Sequence, residues 1–378
     1  MKKWIAAMLA VSLCVLPAHA AVAGSPEVKA GAAVLMEKET GKVLYEMNPH
    51  DKLEPASVTK VMTLLLVMEA IDSGALSAED TVQVSARAAS MGGSQVYLKE
   101  GETMTVRDLL KSVAVVSGND AAVALAERLA GSESAFVERM NQRAAELGME
   151  DTTFLNCTGL PAPGHLTSAY DIALMSRELI LNHPGIREYT TIWMDSIREG
   201  AFQLSNTNKL IRFYDGATGL KTGSTDAALY CLSATAERDG MEMIAVVLKS
   251  PTSADRFESA KSMLDFGFAN YTVLEAKPGQ ALVPVKVLLG EREYVQPVLP
   301  GSSRVLLEKS QVNEVETKIA LCTDVEAPVE AGQKLGEMTV SVAGEVREVI
   351  PIVASQKVER LTIPGIFKNL LEQFFMAG

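Results

Sequence analysis

Apolar residues along this chain fall first into short alternating runs, then into longer helical runs, then into short runs again. Residues 32–36 and 43–46 flank Thr40-Gly41, which predicts a β-hairpin. Residues 57–73 hold a dense apolar run closed by Gly74, which predicts a helix. Residues 105–116 predict a second helix, opened by Thr105 with Asp108 three positions on, a capping-box spacing. Helices over 120–130 and 134–147 are each closed by a glycine, Gly131 and Gly148. Residues 168–182 repeat the capping spacing through Ser168 and Asp171. Residues 230–236 and 243–248 read as strands joined through Arg238-Asp239-Gly240, and 255–268 as a helix.

The pattern changes after Tyr271. Helical periodicity stops, and short β-rich runs at 283–289, 304–307, 318–322 and 338–342 are punctuated by Gly and Pro. The expectation is an α/β (α+β) first domain over 28–272, with an antiparallel sheet flanked by helices. A small all-β sandwich over 278–355 follows a linker at Lys277-Pro278-Gly279. A last segment, 363–377, is different again. On a helical wheel Ile366, Phe367, Leu370, Leu371, Phe374 and Phe375 share one half, and Lys368, Asn369, Glu372 and Gln373 the other. Such a stripe usually packs on its own protein. At the end of an exported chain, and too short to span, it reads here as an amphipathic anchor lying in the outer face of the cytoplasmic membrane.

Export is read from residues 1–20. Lys2 and Lys3 precede an apolar run from Trp4 to Leu16, and Ala18-His19-Ala20 is a small-x-small cleavage site. Cleavage after Ala20 or after Ala23 both fit. The apolar run is too short for a comfortable transmembrane span.

Composition then removes several classes of function. A formal net charge of −12 with no basic run argues against nucleic-acid binding. Beyond the leader the chain keeps Cys157, Cys231 and Cys322, odd in number and widely spaced, so no disulfide framework is implied. His50, His165 and His183 have no metal-ligand spacing, so no metal and no cofactor is expected.

Three short motifs carry chemistry: Ser57-Val58-Thr59-Lys60, Ser117-Gly118-Asn119 and Lys221-Thr222-Gly223. Each alone is weak. Their order, and their places at a helix start, in a loop after a helix and on a strand, make the set specific. A serine hydroxyl is a poor nucleophile until a base takes its proton. Ser57 and Lys60, three apart at a helix start, share a face. Lys60 is a base only when neutral, and burial or a nearby cation such as Lys221 would lower its pKa. An ordinary solvated helix start would place Ser57 and Lys60 the same way, but would leave the other two motifs as coincidences.

With Ser117-Gly118-Asn119-Asp120-Ala121, Thr167-Ser168-Ala169-Tyr170-Asp171, Asn206-Thr207-Asn208-Lys209-Leu210 and Gly219-Leu220-Lys221-Thr222-Gly223, the chain resembles the low-molecular-mass penicillin-binding proteins of the D-alanyl-D-alanine carboxypeptidase family. These are serine peptidases of the β-lactamase/transpeptidase-like fold. The resemblance implies removal of the terminal D-alanine from peptidoglycan pentapeptide stems through an acyl-enzyme on Ser57, and covalent inhibition by β-lactams. It makes Lys60 the general base and Ser117 the proton donor to the leaving nitrogen. Asn119 holds the substrate amide, and Lys221 supplies positive field. Thr222 and Arg256 bind the terminal carboxylate. Gly223 leaves room for the substrate, and the Ser57 and Ser224 amides form the oxyanion hole. Ser224 stands where some members carry other residues. His165 reads as a structural loop histidine. Glu178-Leu179-Ile180-Leu181-Asn182 mimics the deacylating glutamate motif of class A β-lactamases, but falls inside an amphipathic helix and reads as chance. A β-lactamase or D,D-endopeptidase on the same fold, and a non-catalytic penicillin sensor or scaffold, are the alternatives. The last has no need of so complete a set of side chains.

Overall fold

The computed structural model describes residues 24–279, 281–299 and 304–365. The leader, with both cleavage positions, and the terminal segment from Ile366 lie outside the described residues. No described helix is long and apolar enough to cross a membrane.

Five antiparallel strands form the central sheet, in the spatial order Val43–Met47, Ala32–Glu37, Met241–Ser250, Leu229–Arg238, Ala217–Thr225. The two strands Ala32–Glu37 and Met241–Ser250 are apolar almost without a break, because both faces of the sheet are covered. Val34, Met36, Ile244, Val246 and Leu248 point into one cluster, with helices Lys60–Asp72, Asn119–Ala130 and Ala169–Asn182. Ala33, Leu35, Met243, Ala245 and Val247 point into the other, against helix Ser253–Asn270. The alternation follows from the period-2 pleat of a strand. Gly267 permits that helix to approach closely, since a Cβ there would come 2.2 Å from Met243 Sδ.

The predicted helix over 57–73 begins as a 3-10 turn, Ala56–Thr59, and becomes α-helical at Lys60–Asp72. Ten of its thirteen helical residues are buried, so this helix is surrounded rather than amphipathic. Thr105 and Ser168 cap their helices as the spacing predicts, each side-chain oxygen accepting from the backbone amide three residues on, Asp108 and Asp171.

β pairing of the trailing region starts at Tyr271, ahead of Lys277-Pro278-Gly279. Tyr271–Glu275 pairs with Arg304–Glu308. The longest sheet there runs Pro297–Val298, Glu345–Ala354, Lys334–Val342, Val315–Leu321. Its core is two small apolar clusters, around Met338, Val340 and Ile352 and around Val287, Val295 and Val329. Arg304 reaches back to the Gly240 carbonyl and to Glu39 of the first domain.

Candidate active site

Four segments that are remote in sequence converge at the start of helix Lys60–Asp72. The 3-10 turn presents Ser57 half-buried, just after Ala56, which holds a left-handed φ of 47°. One turn on, Lys60 is completely buried. Its Nζ lies 3.0 Å from Ser57 Oγ, 2.7 Å from Asn119 Oδ1 and 2.7 Å from the Thr158 carbonyl. A neutral amine suits this set. Its two N–H bonds donate to Asn119 and Thr158, and its lone pair is left to accept from the Ser57 hydroxyl. Burial pushes the Lys60 amine down to about 7, against the opposing pull of Cys157 and Asp120.

Ser117 ends the helix Val106–Val116 in the left-handed region, with φ at 67°. Its hydroxyl is buried and has no hydrogen-bond partner among the described residues. A buried polar atom without a partner is rare and calls for a ligand or a role. Asn119 opens the next helix and is fixed from three sides. Its amide N–H donates to the Ser94 carbonyl, its Nδ2 to Gly92, and its Oδ1 accepts from Lys60. Asp120 beside it is buried and accepts from the amides of Val96 and Leu98. That carboxylate shapes the loop lining this side, a role that a capping loop in the sequence does not disclose.

Lys221, Thr222, Gly223 and Ser224 lie along Ala217–Thr225, the edge strand of the sheet. An edge strand offers unpaired backbone groups to an added strand. Lys221 is buried, and its Nζ donates to the Thr222 carbonyl. Burial first, then the nearby cations Lys60 and Arg256, hold its amine well below the usual lysine range. Thr222 Oγ1 donates to Thr207 Oγ1, a partner that sequence reasoning did not single out. Gly223 packs onto the nucleophile turn. A Cβ there would stand 2.9 Å from both the Ser57 nitrogen and the Pro55 carbonyl oxygen. Ser224 is exposed. Arg256 is buried behind the strand, donating to the carbonyls of Gly223 and Cys231, and its Nε has no partner among the described residues.

The structure thus joins Ser57, Lys60 and Asn119 by direct hydrogen bonds, and sets Gly223 against Ser57. Sequence reading missed the Thr158 carbonyl and Asp120. A backbone carbonyl has no sequence signal at all, whereas Asp120 stands directly after the Asn119 motif. Glu178 bonds Arg143 and Asn182. Glu69, Glu178 and His183 bring ligand atoms within 4.8 Å of one another, but both carboxylates already hold the Arg143 guanidinium. Cys157, Cys231 and Cys322 are free thiols.

Comparison with known proteins agrees with this geometry. Residues 19–252 match the family model for D-alanyl-D-alanine carboxypeptidase, and residues 271–360 match that for the C-terminal domain of penicillin-binding protein 5. The chain is 43% identical over 337 residues to the D-alanyl-D-alanine carboxypeptidase DacF of Bacillus subtilis, covering 88% of this chain and 86% of that one. Identity to DacC of Escherichia coli is 34% over 344 residues, with 89% and 86% covered. Penicillin-binding protein 5 of Haemophilus influenzae superposes with a TM-score of 0.76 at 29% identity, over 89% of this chain and all of that one. Penicillin-binding protein D2 of Listeria monocytogenes, solved in an ampicillin-bound form, gives a TM-score of 0.59 at 36% identity, over 64% of this chain and 98% of that one. The half-buried serine bonded to a buried lysine, the edge strand beside them and these matches lead to one conclusion: the chain belongs to the D-alanyl-D-alanine carboxypeptidase family of serine peptidases.

Proposed function

We infer that the chain removes the terminal D-alanine from peptidoglycan pentapeptide stems, with Ser57 as nucleophile. The observation that carries this reading is the position of Lys60 Nζ between Ser57 Oγ, Asn119 Oδ1 and the Thr158 carbonyl. Ser57 Oγ bonds to the carbonyl carbon between the last two D-alanines while its proton passes to Lys60. Negative charge develops on the carbonyl oxygen, which the amides of Ser57 and Ser224 receive. The C–N bond then breaks, and the leaving nitrogen takes the proton held by Lys60, relayed through the Ser117 hydroxyl, which returns Lys60 to its neutral form. Water attacks the ester, giving its proton to Lys60, and the Ser57 oxygen leaves with a proton returned from that amine.

The stem would lie along the edge strand as an added strand, with Asn119 holding its amide. Its terminal carboxylate would bond Thr222 and face Lys221 and Arg256. That negative charge favours the protonated form of Lys221, opposing the effect of its burial. A β-lactam acylates Ser57 by the same attack, but its cleaved nitrogen stays tethered. The helix-bound Glu178 supplies no deacylating base, so the adduct persists and the protein is inhibited.

We also propose export through residues 1–20 and attachment to the outer face of the cytoplasmic membrane through 363–377. The supporting pattern is the apolar half of the terminal wheel. Deleting residues 364–378 should move the protein from the membrane to the soluble fraction with activity unchanged. Continued sedimentation with membranes would remove the anchor. The catalytic reading is tested by D-alanine release from a peptide ending in D-Ala-D-Ala, with Ser57→Ala in parallel. Release only by the unmutated protein is the expected result. A stable penicillin adduct without release would indicate a sensor or endopeptidase.

A further inference from the structure

We propose that His165 is a positioning residue for the Ser57–Lys60 pair, acting through Thr59 and through the loop that supplies the Thr158 carbonyl. The proposal rests on the assignment of Ser57 and Lys60 above and goes beyond it. His165 is 3% exposed, beneath the nucleophile turn. The Leu155 amide donates to its Nδ1 at 3.0 Å. That bond fixes the tautomer, because a ring nitrogen that accepts carries no proton. The proton therefore sits on Nε2, which donates to Thr59 Oγ1 at 2.8 Å. Thr59 stands between Ser57 and Lys60 on the 3-10 turn. Burial holds the imidazole pKa down at about 4, so the ring is neutral near pH 7 and Nδ1 is free to accept. Phe154 meets the ring edge-on, with centroids 5.9 Å apart, and limits its rotation.

The loop that His165 ties down has little slack. Asn156 Oδ1 accepts from the amides of Thr158 and Gly159 and from Thr158 Oγ1. Thr63 of the nucleophile helix donates to the Cys157 carbonyl, and Lys60 to that of Thr158. At Gly159, whose φ is 81°, a Cβ would come 1.8 Å from the Ala56 carbonyl oxygen. The loop thus touches the helix at consecutive residues and abuts the turn that carries Ser57. His165 joins the loop's beginning at Leu155 to that same turn at Thr59. Cutting this link frees the Thr158 carbonyl from Lys60 and the turn from its underside. Both changes move Lys60 relative to Ser57. A histidine that only stabilised the loop would lower the melting temperature and leave the rate per folded site alone.

Gln is the informative replacement, since its Nε2 reaches the place of the imidazole Nε2 and keeps a donor on Thr59. The test is the rate of Ser57 acylation by penicillin, per folded site, in full-length mature protein. It compares the unmutated chain, His165→Ala, His165→Gln and Ser57→Ala. His165→Ala should slow acylation by about 10- to 100-fold, the scale of a misplaced catalytic pair, and His165→Gln, which keeps the bond to Thr59 but loses the one from Leu155, should fall between His165→Ala and the unmutated chain. Should His165→Ala not fold, Thr59→Val cuts the link from the other side and should show the same loss. An unmutated rate in His165→Ala or in Thr59→Val overturns the proposal, as does an equal loss in His165→Ala and His165→Gln. Absence of Ser57-dependent acylation in the unmutated chain would instead overturn the functional assignment.

Discussion

The catalytic region and the β region after Tyr271 both bury apolar residues, but only the first buries charge. Lys60, Lys221, Arg256, Asp120 and Glu242 are all buried before Tyr271. Among the described residues beyond it, Ser341 is the one buried polar side chain. The ion pairs there, such as Lys357 with Glu330 and Glu359, lie at the surface, where they add little stability. A fold has no need of buried ammonium groups. Moving one out of water is unfavourable, and the group responds by giving up its proton. On the proposed mechanism that burden has a use at both sites: Lys60 works as a base at neutral pH only when it is desolvated, and a buried Lys221 faces the substrate carboxylate with little screening by water. Charge burial therefore separates the part of the chain that reacts from the part that supports.

The sharpest way to break this comparison is Lys221→Met. Among the described residues the lysine Nζ donates only to the neighbouring Thr222 carbonyl, so little bonding is lost. Acylation should fall by about 10²- to 10³-fold, as when an electrostatic stabiliser is removed. The melting temperature should rise, because an apolar side chain of similar volume replaces a buried cation. The sign of the pH dependence follows from linkage. The folded pKa of Lys221 lies below its unfolded value of 10.5, so the unfolded chain binds more protons in between. The unmutated protein gains stability as pH rises through that window, and its gap to the variant should close toward pH 10.5. A variant that is less stable at neutral pH would show that the buried lysine is structural. Next in size is Gly223→Ala. Its Cβ would press on the Ser57 nitrogen and the Pro55 carbonyl oxygen, and acylation should drop by about 10²-fold, with a loss of stability of about 1–3 kcal/mol because backbone has to shift. The smallest effect on chemistry is expected from Ile352→Ala. It should destabilise the β region by about 2–5 kcal/mol in denaturant unfolding, yet change the acylation rate less than twofold. A large loss of rate would mean that the β region shapes the site.

The same contrast explains what the sequence disclosed. The β region was legible as a type of structure, since loss of helical periodicity and recurrent Gly and Pro suffice for that. Its first strand was not. Tyr271–Glu275 follows directly on helix Ser253–Asn270, with no breaking residue between them. The nucleophile helix was legible by its run length rather than its period, because nearly every face is buried. Ser57 and Lys60 were readable as a pair because a spacing of three places side chains together in a 3-10 turn as well as in an α-helix. Lys60's third partner was not readable. The Thr158 carbonyl lies 98 residues away and depends on how one loop folds over Ala56. His165 was read as an ordinary loop residue, because its meaning depends on Thr59 being beneath the same loop. Sequence patterns disclose side chains that neighbour each other on one element, and tertiary contacts with the backbone leave no such pattern.

The most direct test of the central claim is the rate of Ser57 acylation by penicillin as a function of pH. Lys60 is the group whose ionisation should be read, with its pKa lowered to about 7 by burial. Below that value it is protonated and cannot take the Ser57 proton, so the rate should rise through pH 7 and level off above it. A rate that is flat across pH 5–9, or one that begins to rise only near pH 10, would contradict a buried neutral lysine as the base.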